Sequence, residues 1–353
     1  MTAAPFARFP DHVEAARLLD AALREGPAHA YLFHGPAGVG KRDVARTFAR
    51  ALLETQREFH PDLYELDALG EMIRIDAIRE LRRDLHMRPF EAARRVYLVF
   101  RAHLLNDDAS DALLKDLEEP PPYAVIVLVA DDLGPISETI RSRCQLVPFS
   151  RLSERSIREL VDARAPDLPA ERRAALARVA AGRLDRLERV LDPKSAHRRA
   201  LLVDQARAVY RDPAFEPADA AAALLRNAHE RSAEARDLEE ARIAGLELPA
   251  REAEQQVKRA ARGAEREELL AQLEELSAWY RDLVAVAVGA GAAAIHLDRL
   301  DELHEDGTRE RLLGAERAAE AVRETWRRLE EFNLAPQLAV EALFVQLAGE
   351  LAA

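Results

Sequence analysis

The chain opens with apolar positions at helical spacing: Val13, Ala16, Leu18, Leu19 and Leu23 predict an amphipathic helix over residues 10–26. The period then changes. Residues 30–33 form a short, continuous apolar run, the pattern of a strand buried on both faces of a parallel sheet. A glycine-rich stretch follows, and a helix is predicted from Lys41. A second short strand is predicted in HPDLYELD (60–67), and a helix over 76–86 carries Ile78, Leu81 and Leu85 on one face, with Arg79, Arg82 and Arg83 mostly off it. VYLVF (96–100) and AVIVLVA (124–130) read as a third and a fourth strand. Between them DASDALLKDLEEPPP is a helix stopped by Pro120, Pro121 and Pro122. Strands alternating with helices at this spacing predict a parallel α/β sheet. Beyond Phe149 no strand is predicted. Ser153 is a candidate N-cap, Gly182 separates two of the short helices expected in 153–192, and everything from 194 onward reads as helix. The densely charged stretch 229–268, broken at Gly245 and Pro249, reads as a solvated helical pair.

Composition narrows this picture. At 353 residues the chain exceeds a single core of ~250–300 residues, so two or three domains are expected. The net charge of −12 excludes a whole-chain basic footprint for nucleic acid, though not a local contact through an arginine-bearing helix. One cysteine, Cys144, permits neither an internal disulfide nor a cysteine-based zinc cluster; it reads as a small buried residue. With no signal pattern at the start, and with the longest uncharged apolar run (283–297) shorter than the ~20 residues a bilayer requires, a soluble cytoplasmic protein without membrane partners is expected. His29, His34, His60 and His103 are scattered and read as structural hydrogen-bonding groups, so no metal site is expected. Trp279 and Trp326 sit on amphipathic helices and are expected to pack in the helical region.

The chemistry lies between the first strand and its helix. GPAGVGKR (35–42) follows the phosphate-binding pattern G-x-x-x-x-G-K-[ST] except at its last position. Gly35, Gly38 and Gly40 permit close approach of backbone N–H groups to phosphate, and Lys41 would reach the outer phosphates. Hydrolysis needs a metal held by the loop hydroxyl and by an Asp at the end of a neighbouring strand, with a group to position water. Here the hydroxyl is replaced by Arg42, and the strand VYLVF ends in Phe100-Arg101 instead of an acidic pair. No magnesium site is expected. The cradle is either working or vestigial, and the expected cofactor is ATP or ADP held weakly, or no nucleotide at all.

HAYLFHGPAGVGK, HPDL, SDALLKDLEEPP and TIRSRC, in this order, resemble the bacterial clamp-loader family of AAA+ proteins, and 276–290 and 333–347 are similar to helices of that family's collar. The resemblance implies an α/β AAA+ core at 1–150, a small helical lid at 151–193 and an all-α collar for oligomerisation at 194–353. It implies a five-subunit ring with gamma/tau motor subunits and a delta subunit, acting on the sliding clamp and on primer-template DNA. On the non-hydrolysing side of the family, the SRC motif supplies an arginine to the ATP of the adjacent motor; in this chain that arginine is Arg143. Family motors carry four zinc-binding cysteines before HPDL, but here the stretch is only ALLETQREF, so no zinc is expected. The polar sensor after the fourth strand falls near Ala130, which cannot read a γ-phosphate, and the lid sensor arginine is Arg183 or Arg186. Asp111 replaces an Asn of the family pattern. The arginines of 76–86 face either DNA phosphates or solvent. An active motor ATPase and a P-loop small-molecule phosphotransferase remain as rivals.

Overall fold

The structure, a computed structural model, describes all residues except 1–4, 58–59, 69–71, 245–249, 332–333 and 352–353. Part of the shortened ALLETQREF stretch, and the breakers Gly245 and Pro249, therefore lie outside the described residues. The chain divides into two compact units, 1–157 with 182–185, and 158–181 with 186–353. Most of the segment expected as a lid thus clusters with the helical part, and residues 182–185 cluster with the sheet.

In the first unit, α1 (Val13–Glu25), β1 (Ala30–His34), α2 (Lys41–Leu52), β2 (Leu63–Leu66), α3 (Ile75–Leu85), β3 (Arg95–Val99), α4 (Asp107–Glu118), β4 (Ala124–Ala130), α5 (Glu138–Arg141) and β5 (Gln145–Pro148) follow one another. The sheet order is β2-β3-β4-β1-β5, and every pairing is parallel. Successive strand residues point to opposite faces, so each strand feeds two cores. Tyr31 and Phe33 join Val44, Phe48 and Leu19 beneath α1 and α2, while Leu32, Ile126 and Leu128 join Ile78, Leu81, Leu85 and Leu113 beneath α3 and α4. The strand β5 was not foreseen. It is four residues long, lies at the sheet edge and leaves Gln145 and Leu146 exposed, so it lacks the apolar run that marks β3 and β4. Ser153 does cap the next helix, its Oγ accepting from the Ser156 N–H at 3.1 Å.

That helix is α6 (Glu154–Arg164); α7 (Ala170–Val179), α8 (Leu184–Leu191), α9 (Pro193–Arg211), α10 (Pro217–Ile243), α11 (Ala250–Ala287), α12 (Leu300–Asp306), α13 (Leu312–Glu331) and α14 (Pro336–Leu351) complete the chain. The core of the helical unit runs through α9, α10, α11, α13 and α14 and contains Trp279, fully buried. Trp326 departs from expectation: it lies outside that core and stays 37% exposed. No helix among the described residues is long and apolar enough to cross a membrane.

Polar pairs lock this unit's connecting segment. His296 is fully buried beside the Trp279 ring; its Nδ1 lies 2.7 Å from Asp282 and its Nε2 3.0 Å from Glu275. Asp282 also accepts from the N–H groups of Ile295 and His296, and Glu275 pairs with Arg199. Burial alone would lower the His296 pKa, but Glu275 and Asp282 outweigh it and hold the ring above its ordinary 6.5. Stability from this contact is therefore complete below pH 6.5 and fades as the pH rises through the raised folded value. His296→Ala removes the ring between Asp282 and Glu275, which keep their N–H and Arg199 partners, and should destabilise the helical unit by about 1.5–3 kcal/mol in urea unfolding at neutral pH, with a smaller deficit in strong alkali.

Candidate functional site

Because every strand is parallel, all carboxyl ends lie along one edge of the sheet, and register decides which loops meet there. His34 pairs with Ala130, so the phosphate loop after β1 stands beside Asp131, one residue past β4. Leu66 pairs with Val99, so Asp67 stands beside Phe100 and Arg101.

The loop has the backbone of a phosphate cradle. Gly35, Gly38 and Gly40 all have positive φ, and Gly40 is the left-handed residue from which α2 starts. Lys41, however, is turned inward. It is 3% exposed, and its Nζ donates to the carbonyls of Gly35 (2.7 Å) and Pro36 (2.5 Å) and pairs with the Asp131 carboxylate at 2.8 Å. Burial pulls the ammonium pKa below its ordinary value despite Asp131. Over the middle of the loop lies residue 185. The Leu184 N–H donates to the Gly38 carbonyl at 2.6 Å, and a methyl group added at Gly38 would sit 1.7 Å from Asp185 Oδ1. Arg183 grips Asp185 with two hydrogen bonds, of 3.0 and 2.6 Å. Of the two sensor candidates, Arg183 thus lies in the sheet unit next to the cradle, and Arg186 pairs with Glu274 of the helical unit at 3.2 Å.

The three departures from a hydrolytic site come together in one cluster. The Arg42 guanidinium lies 4.8 Å from the centre of the buried Phe100 ring and 2.7 Å from the Asp67 carboxylate. Arg101, in a left-handed conformation at φ +52°, holds the other Asp67 oxygen at 2.8 Å and donates to the Ala68 carbonyl. Burial pushes the Asp67 pKa up, but the charges of Arg101 and Arg42 outweigh it, and the carboxyl is held below 3.8. Two fixed cations and an aromatic ring thus stand where a metal-nucleotide would need a hydroxyl and carboxylates, so the residues present do not fit magnesium. Asp67, Asp131 and Asp185 were not singled out from the sequence. Each looks like an ordinary loop acid until register and the 182–185 segment bring it to the cradle.

Arg143 lies elsewhere, just after α5. Its side chain is 33% exposed; it donates to Glu118 of the LEEPP motif at 2.5 Å, to the Thr139 carbonyl at 3.1 Å and to Ser142 Oγ at 3.3 Å. Its neighbour Cys144 is half-buried, and burial pushes the thiol up to about 12, so it carries no thiolate at neutral pH. His60 and His103 accept from the backbone N–H groups of Asp62 and Asp131, both at 3.1 Å. On α3, Arg79 meets Asp76 at 3.5 Å and Arg82 is held by the buried Asp116 at 2.5 Å, while Arg83 is exposed, as is Asp111 on α4.

A parallel sheet in the order β2-β3-β4-β1-β5, with a phosphate loop after β1, defines an AAA+ P-loop core. Residues 12–153 match the family described as DNA polymerase III, delta subunit. The chain is 34% identical over 157 residues to DNA polymerase III subunit tau of Bacillus subtilis (strain 168), covering 40% of this chain and 28% of that protein. It is 30% identical over 148 residues to subunit delta′ of the same organism, covering 37% and 45%. The chain spans less than half the length of these curated relatives. A DNA polymerase III, gamma subunit-related protein of Thermotoga maritima superposes on 96% of this chain, and over 99% of its own, at 16% identity and a TM-score of 0.44, too loose a likeness to carry function across. Over residues 12–153, within its N-terminal unit, the chain is similar to this family.

Asp67→Ala leaves Arg42 and Arg101 facing each other without their shared anion. With these side chains partly exposed, the expected loss is about 1 kcal/mol in urea unfolding. The stabilisation is present above pH 3.8 and is lost as the pH falls through the lowered Asp67 value, so variant and parent should converge in acid.

Proposed function

We propose that this chain is a delta′-type subunit of a bacterial clamp loader. It is a rigid, non-hydrolysing member of a five-subunit ring with gamma/tau motors and a delta subunit. The assembled ring opens the sliding clamp and closes it around primed DNA. The observation that carries this reading is the Arg42–Asp67–Arg101 cluster beside Phe100, in which arginines hold both oxygens of the Asp67 carboxylate. A site built this way has no hydrolytic work of its own, which suits a subunit that acts on its neighbour. In this reading 151–193 is the lid and 194–353 the collar through which the ring assembles.

Arg143 is the group offered in trans. A planar guanidinium makes paired hydrogen bonds to phosphate oxygens and remains charged at any physiological pH. Glu118, Thr139 and Ser142 hold it near the surface, and an incoming phosphate would take the place of the Glu118 carboxylate. Hydrolysis by the motor then depends on correct assembly.

The likeness to subunit tau favours a second reading, an active motor of the same family. It requires magnesium-dependent hydrolysis by the isolated chain, against which Arg42, Phe100 and Arg101 stand.

The test is DNA-stimulated ATP hydrolysis by the reconstituted loader. The isolated chain should be silent. Arg143→Ala should lower the rate of the complete ring by ~10³-fold, the lower end of what such arginines contribute, with assembly unchanged. Hydrolysis by the isolated chain would establish the motor reading, and an undiminished rate would remove Arg143 from the mechanism.

A further inference from the structure

The phosphate cradle keeps its backbone, but it already faces anions that belong to the chain. Lys41, the cation meant for the outer phosphates, is buried and saturated by two carbonyls and the Asp131 carboxylate. The Asp185 carboxylate sits against Gly38, where a side chain on that residue would be, and Arg183 clamps it there. The Leu184 N–H is spent on the Gly38 carbonyl, which ties the 182–185 segment to the loop. The cations nearby are no more available, since Arg42 and Arg101 share Asp67.

We propose that Asp131 and Asp185 are built-in counter-anions that occupy the cradle in place of nucleotide phosphates and keep ADP and ATP out. Asp131 takes the charge of Lys41, and Asp185 takes the space against Gly38. A bound polyphosphate would have to expel one carboxylate and lie within a few ångströms of the other, and like charges at that range repel even at carboxylates that are partly exposed. Loss of the metal ligands abolishes hydrolysis; the two aspartates act on binding itself. This concerns the chain's own cradle and depends neither on Arg143 nor on assembly.

The experiment is calorimetric titration of the full chain with ADP and with ATP, in chelator without magnesium. The unaltered chain should show no binding at millimolar nucleotide. Asp131→Asn with Asp185→Ala removes both charges and clears the space over Gly38. It should gain ADP affinity by about a hundredfold or more, the size expected when two like charges leave the vicinity of an anion, and adding Lys41→Ala should remove the gain. An unaltered chain that binds ADP as tightly as the double variant overturns the proposal, as does a folded double variant that gains nothing. If the double variant fails to fold, acylation of the unaltered chain by acetic anhydride, read by mass spectrometry, decides. Lys41 should label far more slowly than the exposed Lys115, and ADP should not change its rate. Rapid labelling of Lys41 that ADP suppresses would overturn the proposal.

Discussion

All five strands run the same way, and the rest of the site follows from that constraint. A parallel sheet delivers the carboxyl end of every strand to one edge, so loops distant in sequence become neighbours there. The pairing of β1 with β4 sets Asp131 against the phosphate loop, and the pairing of β2 with β3 sets Asp67 between Arg42 and Arg101. Neither contact is local, and neither would survive a shift of register.

At the edge of the sheet the charges around the loop are satisfied by one another within the chain. Removing a metal from a cleft lined by acids would leave repelling charges, and removing a phosphate from a buried lysine would leave an unpaired cation. Here Arg42 and Arg101 share one aspartate beside the Phe100 ring, and Lys41 receives a carboxylate and two carbonyls. The loop survives because its glycines shape the turn from β1 into α2, where any side chain on Gly35 would collide with the Phe149 carbonyl.

The helical unit follows the same rule in another setting. Its buried charges come in groups that satisfy one another: His296 with Asp282 and Glu275, and Asp306 with Arg207, Arg211 and Tyr210. They fasten α12 to α9, and the segment before α12 to α11. Trp279 joins this arrangement, its indole N–H donating to Tyr210 at 3.2 Å.

The sequence by itself determined the sheet class, the glycine loop between the first strand and its helix, and which residues stand at positions 42, 100 and 101. Those features rest on local patterns: the apolar runs of β1, β3 and β4, glycines at fixed offsets, the prolines after α4, and the identities of residues 42, 100 and 101. Motif resemblance singled out Arg143 only as an expectation. The edge strand β5 escaped because four residues with two exposed carry almost no periodic signal, and Trp326 was misjudged because amphipathic spacing does not say how far a side chain reaches into the core. Only the tertiary structure decided what became of the cradle. Asp67, Asp131 and Asp185 are unremarkable acids in the chain, and their role exists only where strand register and the return of residues 182–185 place them against Arg42, Arg101, Lys41 and Gly38. Electrostatic pairing depends on distance in space, and a sequence records only distance along the chain.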